Sequence, residues 1–340
     1  MENYRNYRLC RKLYIDLRTN KSNHHKDGIV MNLIVILTMV ILPFSLMVTG
    51  CSERETKDVL KNEKIIKEGT FTIAILPEQN VFEQKKRYKP LAEYLSNALN
   101  TNVKIKLLDS YGTIYDEIKN RTIDGAFFGS FNYVLTKART EIEPIARPVE
   151  TGGNSNYKGV IFTKKGSGLN IDIRTWKNKK VSLVHEVTTA GYIFPKWYLK
   201  KQGVDDFENY FKKIIFSGSH DAAIIAVFNG QADLGAAKDL IIKKVLPEYP
   251  AIRDNIVVLA ESISVPSNTL CVRGDLRKDI KLSLKKTLLT LHHVAQGKKA
   301  LAALNAEKFI ETSDLEFDKL RAMAKVIGLD IRRYPFRNLR

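Results

Sequence analysis

Cysteine is scarce and wrongly spaced for chemistry. Cys10, Cys51 and Cys271 are the three in 340 residues, and their separations match neither a zinc-ligand pattern nor a CxxC redox pair, which argues against a metal centre and a disulfide framework. No GxSxG elbow occurs, so the usual hydrolase nucleophile turn is missing. Residues 31–50 hold no charged side chain, and the basic residues do not gather into one aromatic-interleaved block. Of the formal +18, +4 falls in residues 1–30 and none in 31–50, leaving +14 scattered over the chain from Cys51 onward. Dispersed lysine weakens a nucleic-acid reading and suits a surface that attracts anions, anionic lipid heads included. A hydrophobic content of 44% excludes wholesale disorder, and the length suffices for two domains with cores of their own.

The chain opens on an export segment. Ile29 to Met47 is almost continuously apolar, broken by Asn32, Thr38, Pro43 and Ser45, and Arg5, Arg8, Arg11, Lys12, Arg18, Lys21 and Lys26 precede it. Basic, then apolar, then small is the order of a signal peptide, although the apolar part is also long enough to compete as a membrane span. Val48-Thr49-Gly50-Cys51 resembles the lipobox of bacterial lipoproteins, which implies cleavage before Cys51 and lipidation of its thiol. We therefore expect residues 1–50 to be a signal peptide and 51–67 a polar tether. A start at Met31 would leave no positive charge ahead of the apolar run, so Met1 is preferred. Cys271 then stands alone, as suits an exported protein that uses no disulfide.

Beyond the tether the pattern alternates. Phe71 to Leu76 reads as a strand stopped by Pro77, Tyr88, Leu91, Ala92, Leu95 and Leu99 recur at helical spacing, and a strand at Val103 to Leu108 follows. A helix over Ile114 to Lys119, a strand over Ile123 to Phe128 and a helix through Tyr133, Leu135 and Ala138 complete the series. Such β-α-β alternation predicts a mostly parallel sheet covered on both faces. After Pro144 and Pro148, Gly152-Gly153-Asn154-Ser155-Asn156 reads as a passage into a second series. That series has strands at Gly159 to Thr163, Val181 to Val184, Lys213 to Phe216, Ala232 to Ala236 and Ile256 to Ala260, with Ser262 to Leu270 as the return passage. The tail from Leu276 to Leu329 is helical by periodicity and is expected to pack on the first lobe. The expected parts are lobe 1 over 68–152, lobe 2 over 153–268 and a return to lobe 1 over 269–340, with a cleft between lobes where strand carboxyl ends converge.

One stretch concentrates anion-binding features. His185-Glu186-Val187-Thr188-Thr189-Ala190-Gly191 follows a strand and leads into a helix, so free backbone N–H groups, the positive helix end and two hydroxyls meet at one point. The plain alternative is that Thr188 caps the helix. Ser130, after the Asp124–Gly129 strand, is a second hydroxyl near a strand end.

With these residues laid out, the chain resembles the phosphonate, phosphite and phosphate binding components of ABC transporters, within the type II periplasmic binding protein superfamily. The resemblance spans roughly 68–330 and rests on Asp124-Gly125-Ala126-Phe127-Phe128-Gly129, on Thr188-Thr189-Ala190-Gly191-Tyr192-Ile193-Phe194-Pro195, and on Gly218-Ser219-His220-Asp221 followed by Asn229-Gly230-Gln231-Ala232-Asp233-Leu234-Gly235-Ala236. It implies an α/β fold of two lobes, each a mixed, mostly parallel sheet flanked by helices, with the ligand in the cleft. It implies a Ser-Thr-Ser run at the oxyanion, matched by Thr188, Thr189 and Ala190, where Ala190 keeps the N–H and loses a hydroxyl. It also implies ligand contacts from Tyr111, Tyr157 and His220, whereas a family aspartate near the return passage is replaced by Asn268. Partners implied are a small phosphorus oxyanion, a permease and an ATPase, with a lipid anchor at the membrane; no cofactor, metal or nucleic acid is implied, and a monomer is expected.

Each residue has a plainer role to set beside this one. Tyr111 and Tyr157 suit half-buried aromatics, His220 with Asp221 could cap the Ala222 helix, Asp233 reads as structural, His292 and His293 as a surface pair, and His185 as a residue of the cleft edge. A hydrolase built on Ser130, His220 and Asp221 is disfavoured, because adjacent His and Asp do not easily make a triad's orienting bond. A lipid-anchored oxyanion sensor keeps the same fold with another partner. Charge-assisted hydrogen bonds of about 1.5–3 kcal/mol each offset the desolvation of a small dianion. A ligand of roughly five heavy atoms is bounded near 7.5 kcal/mol, a Kd near micromolar.

Overall fold

The structure, a computed structural model, describes residues 69–248 and 250–336. The apolar run at Ile29 to Met47, the lipobox at Cys51 and the tether lie outside the described residues; among those described, no helix is long and apolar enough to cross a membrane. β1 (Thr70–Ile75), α1 (Val81–Leu99), β2 (Asn102–Leu107), α2 (Ile114–Lys119), β3 (Gly125–Phe128) and α3 (Ser130–Lys137) alternate along the chain. α1 starts ahead of the apolar periodicity because Asn80 accepts from the N–H groups of Phe82 at 2.9 Å and Glu83 at 3.3 Å. It buries Leu91, Ala92, Leu95 and Leu99 and ends at Asn100 in the left-handed conformation, φ 48°.

β4 (Ile142–Glu150) is not read as a strand from the sequence, where Pro144 and Pro148 obscure it, since proline cannot donate to a ladder. It is a strand between Thr269–Arg273 and Ala306–Glu311, and Pro144 lies opposite Cys271 at a register shift. β5 (Asn156–Tyr157), β6 (Gly159–Lys164) and β7 (Lys180–Leu183) follow, then a π-helical turn over Thr189–Ile193 that runs straight into α4 (Phe194–Lys201). β8 (Lys213–Phe216), α5 (His220–Phe228), β9 (Leu234–Lys238), α6 (Asp239–Glu248), β10 (Ile256–Glu261), β11 (Val265–Pro266) and β12 (Thr269–Arg273) complete the middle of the chain. The tail is less uniform than its periodicity suggests. α7 (Lys278–Thr290) and α8 (Ala295–Leu304) are helical, but β13 (Ala306–Glu311) interrupts them before α9 (Asp318–Val326). Its Ala, Glu and Lys are helix formers by propensity, and pairing with β4 together with burial of Ala306 and Phe309 overrides it.

The strands form a six-stranded sheet in the order β13-β4-β12-β3-β1-β2, a five-stranded sheet in the order β10-β6-β9-β7-β8, and the two-stranded ribbon β11-β5. The two larger sheets, both mixed, form the two lobes, and helices flank each. β1 pairs parallel with β2 and β3, and β7 parallel with β8 and β9. The antiparallel partners are β4, β12 and β13 in the first sheet and β6 and β10 in the second. Gly125 belongs to this pairing: a Cβ there would sit 2.7 Å from the Cys271 carbonyl of β12. Asp124 and Asp233 play one role in the two lobes, each accepting from a backbone N–H of the neighbouring strand, Thr72 at 2.8 Å and Lys180 at 2.7 Å.

α7 and α8 pack on the first lobe, through Leu284, Leu288, Leu301 and Leu304 against Leu91, Leu95 and Phe309. α9 does not stay there. Phe317, Leu320, Met323 and Ala324 share a core with Ala190, Ile193 and Phe194 of the second lobe, and Tyr334 donates to the Glu186 carbonyl at 3.1 Å. The expectation of a tail confined to the first lobe is corrected, because the apolar stripe of α9 finds partners on both.

Candidate oxyanion site

All six parallel strands end toward one place. Glu78 follows β1, Tyr111 follows β2 and Gly129 follows β3; Thr188 to Ala190 follow β7, His220 follows β8 and Lys238 closes β9. These residues, with Asn132, Tyr157 and Val187, line an inner cavity of about 220 Å³.

The stretch from His185 folds into a tight turn because Gly191 passes against β7: a Cβ on it would lie 2.4 Å from that of Val184. Thr188 occupies the cap position without capping by its side chain; its hydroxyl donates to the His185 carbonyl at 2.7 Å. Thr188 Oγ1 therefore faces the cavity as an acceptor, not as the donor expected. Thr189 Oγ1 accepts from the N–H of Phe131 in the first lobe at 3.0 Å, and its hydroxyl also lies within reach of Tyr157. A helix's first N–H groups have no partner within it, and here those of Thr189 and Ala190 belong to the cavity wall. Ala190 lines the wall as expected, and its side chain adds no hydroxyl.

The Tyr111 hydroxyl is buried and has no hydrogen-bond partner among the described residues. Burial, then the charges of Glu78 and Asp221, push its pKa well up, so it is a neutral donor. Tyr157, on the ribbon, is also buried and neutral, its hydroxyl within reach of Thr189 and Ser130. His220 Nδ1 accepts from the Lys238 N–H at 3.2 Å, which places the ring proton on Nε2. Burial, then the Lys238 charge, pull its pKa down to about 3, so it is a neutral donor.

Ser130 and Asn268 stand outside this cavity. The Ser130 hydroxyl donates to the Pro266 carbonyl at 2.5 Å. Asn268 Nδ2 donates to Glu78 Oε2 at 2.7 Å and its Oδ1 accepts from Lys238 Nζ at 2.8 Å. His185, expected at the cleft edge, is buried, with Nε2 3.1 Å from Ser110 Oγ across the lobes and Nδ1 accepting from Val187 N–H at 3.3 Å. Asp221 accepts from the N–H groups of Asn80 at 2.9 Å and Ala222 at 2.8 Å. With Ser130 turned to Pro266 and Asp221 to the backbone, Ser130, His220 and Asp221 make no relay.

The residues missed from sequence are Glu78 and Lys238, an ion pair whose side chains are 12% and 7% exposed. Burial opposes the charge on each, yet each partner outweighs it, so the Glu78 pKa lies below and the Lys238 pKa above its ordinary value. Both sit at the carboxyl ends of parallel strands. The rule that pointed to Thr188 points equally to them, but β9 runs on to Lys238 past the expected end at Ala236. The cavity wall thus carries one cation and one anion, and every other group in it is a neutral dipole.

A family model described as the periplasmic substrate-binding protein of a phosphonate ABC transporter matches residues 73–317. A probable ABC transporter phosphite binding protein, PhnD1, of Prochlorococcus marinus (strain MIT 9301) is 24% identical over 79% of this chain and 92% of its own. The phosphate-import protein PhnD of Mycolicibacterium smegmatis is 26% identical over 52% of this chain and 57% of its own. The solved structure of the Prochlorococcus protein in complex with methylphosphonate superposes with a TM-score of 0.68 at 24% identity, covering 75% of this chain and 97% of that one.

Proposed function

This chain belongs to the family of periplasmic substrate-binding proteins of phosphonate ABC transporters, and from that premise we propose that it captures a compact phosphorus oxyanion in its inner cavity and presents it to a permease. The observation that carries the reading is the Tyr111 hydroxyl, buried with no partner among the described residues in a cavity that His220 and the first residues of a helix also line. A lone buried hydroxyl costs about 1–3 kcal/mol unless something accepts from it, and an anion is the acceptor that all three donors share. Relatives named for phosphite and phosphate, and one solved with methylphosphonate, support the same ligand class.

The finer reading has four parts. Lobe closure brings Tyr111 and Glu78 from one side onto Thr189, His220 and Lys238 from the other. The lipobox at Cys51 anchors the chain to the outer face of a bacterial membrane. Permease and ATPase subunits complete the importer, and the binding protein acts as a monomer. A thermal-shift screen of the full-length chain against phosphate, phosphite, methylphosphonate, 2-aminoethylphosphonate, sulfate and arsenate tests the ligand class. Stabilisation by phosphorus oxyanions is expected, at about 2.7 kcal/mol when the ligand is 100-fold above Kd; stabilisation by none of them rejects the proposal.

A further inference from the structure

The inner cavity has a neighbour. An outer cleft of about 670 Å³, lined among others by Gln84, Arg87, Tyr88 and Glu150, opens beside it, and the two share Glu78, Tyr157 and Lys238 in their linings. These three form the common wall. Glu78 comes from the first lobe and Lys238 from the second, and their buried side chains bond directly. Lys238 Nζ also lies 2.8 Å from Asn268 Oδ1 and 4.7 Å over the Tyr157 ring, while Asn268 Nδ2 holds the other Glu78 oxygen at 2.7 Å. The Glu78 carboxylate and the Lys238 ammonium are therefore both committed to partners at the wall, while the Tyr157 hydroxyl is directed to Thr189 and Ser130.

We propose that the Glu78–Lys238 pair, braced by Asn268 and Tyr157, sets the size of ligand: it confines the oxyanion to the inner cavity and excludes phosphonates whose carbon chain must reach the outer cleft. This rests on the phosphorus-oxyanion reading above. The inner cavity, about 220 Å³ against about 670 Å³ for the outer cleft, is much the smaller of the two, which suits a compact ligand such as phosphite, phosphate or methylphosphonate. An arm that reaches from the inner cavity into the outer cleft must pass the wall they share, which holds the ion pair. Parting buried charges leaves each without its partner, which apolar carbon does not replace. The outer cleft is not itself hostile to an organic group, since Tyr88, Phe127, Leu240 and Leu304 contribute to its lining. The pair, not the space beyond it, makes the exclusion.

Calorimetric titration of the full-length chain with phosphite, methylphosphonate, propylphosphonate and phenylphosphonate tests this. Wild type is expected to lose at least 100-fold in affinity between methyl- and propylphosphonate. The double variant Glu78→Ala/Lys238→Ala, which removes both charges together, is expected to bring the two within about tenfold of each other, whatever its absolute affinity. The ratio is the readout, so a general weakening of the site does not imitate the result. Propylphosphonate bound by wild type within tenfold of methylphosphonate overturns the proposal, and so does a double variant that binds methylphosphonate yet still rejects propylphosphonate. If the double variant does not fold, the wild-type series decides alone. Wild type binding none of the four ligands removes the function reading and this inference with it, whereas equal binding of all four removes only this inference.

Discussion

In the first lobe β2, β1 and β3 end at Tyr111, Glu78 and Gly129; in the second, β8, β7 and β9 end at His220, Thr188–Ala190 and Lys238. The two triplets share their architecture, down to Asp124 and Asp233 each holding a backbone N–H of the neighbouring strand. Their chemistry differs. The second lobe supplies a helix start, a neutral imidazole N–H and a cation, all suited to a negative ligand, while the first supplies one phenol and a carboxylate. An anion would dock on the second lobe by itself, and the first lobe adds Tyr111 as a further donor and Glu78 as the counter-charge to Lys238. The arrangement suits release as well as capture, because the one cation in the wall is already neutralised within the protein.

The sharpest way to break that comparison is to remove one charge alone. Lys238→Met leaves Glu78 ionised and buried, and a loss of about 3–5 kcal/mol in urea unfolding is expected; a loss under about 1 kcal/mol would mean that the pair is solvated and joins the lobes only weakly. Tyr111→Phe probes the first lobe's donor. It should lower affinity for the cognate oxyanion by roughly 10- to 100-fold, at 1.5–3 kcal/mol for a hydrogen bond to a charge, while leaving ligand-free stability unchanged or raised, since the hydroxyl has no partner among the described residues. Equal affinity of this variant by calorimetry would show that the anion does not reach the first lobe.

His220 tests the second lobe by pH. Its folded pKa, about 3, lies below the unfolded value near 6.5, so between those values the unfolded chain binds the extra proton and stability falls as pH falls. From pH 6.5 to 4.5 this amounts to about 2 kcal/mol. The step should vanish in His220→Gln, and an unchanged pH profile in that variant would remove the buried neutral imidazole. Oxyanion affinity should show no histidine transition between pH 6 and 8. The smallest effect is expected of Thr188→Val, which loses the bond to the His185 carbonyl and about 1 kcal/mol of stability. Thr189→Val, by contrast, removes a hydroxyl that bonds the Phe131 N–H across the lobes and should cost more affinity; if Thr188→Val proves the more damaging to affinity, the hydroxyl orientations in the turn are reversed.

Much of the fold was legible because alternation of apolar strand and amphipathic helix is a local signal. β8 and α2 appear at their expected bounds. β4 and β13 were not legible: two prolines hide the first, a run of helix formers hides the second, and both exist because long-range antiparallel partners reach them. At the site, Thr189, Ala190, Tyr111, Tyr157 and His220 were approachable from motif and strand-end position, and the structure brings them together at one cavity. Glu78 was not, since a glutamate after Pro77 looks like any exposed loop acid until Lys238 is placed against it.

The sequence by itself determined which segments alternate, where helices are capped, which glycine permits the turn after β7, and that a hydroxyl-rich helix start follows a strand. Those are properties of neighbours along the chain, set by backbone sterics and periodicity. Only the tertiary structure decided that Thr188 turns its proton inward to His185, that His220 is neutral, that α9 lies across both lobes, and that Glu78 and Lys238, 160 residues apart, share one buried bond. Proton direction, ionisation and charge pairing depend on what lies within a few ångströms in space and on how much water is left there, and neither quantity is carried by the order of residues.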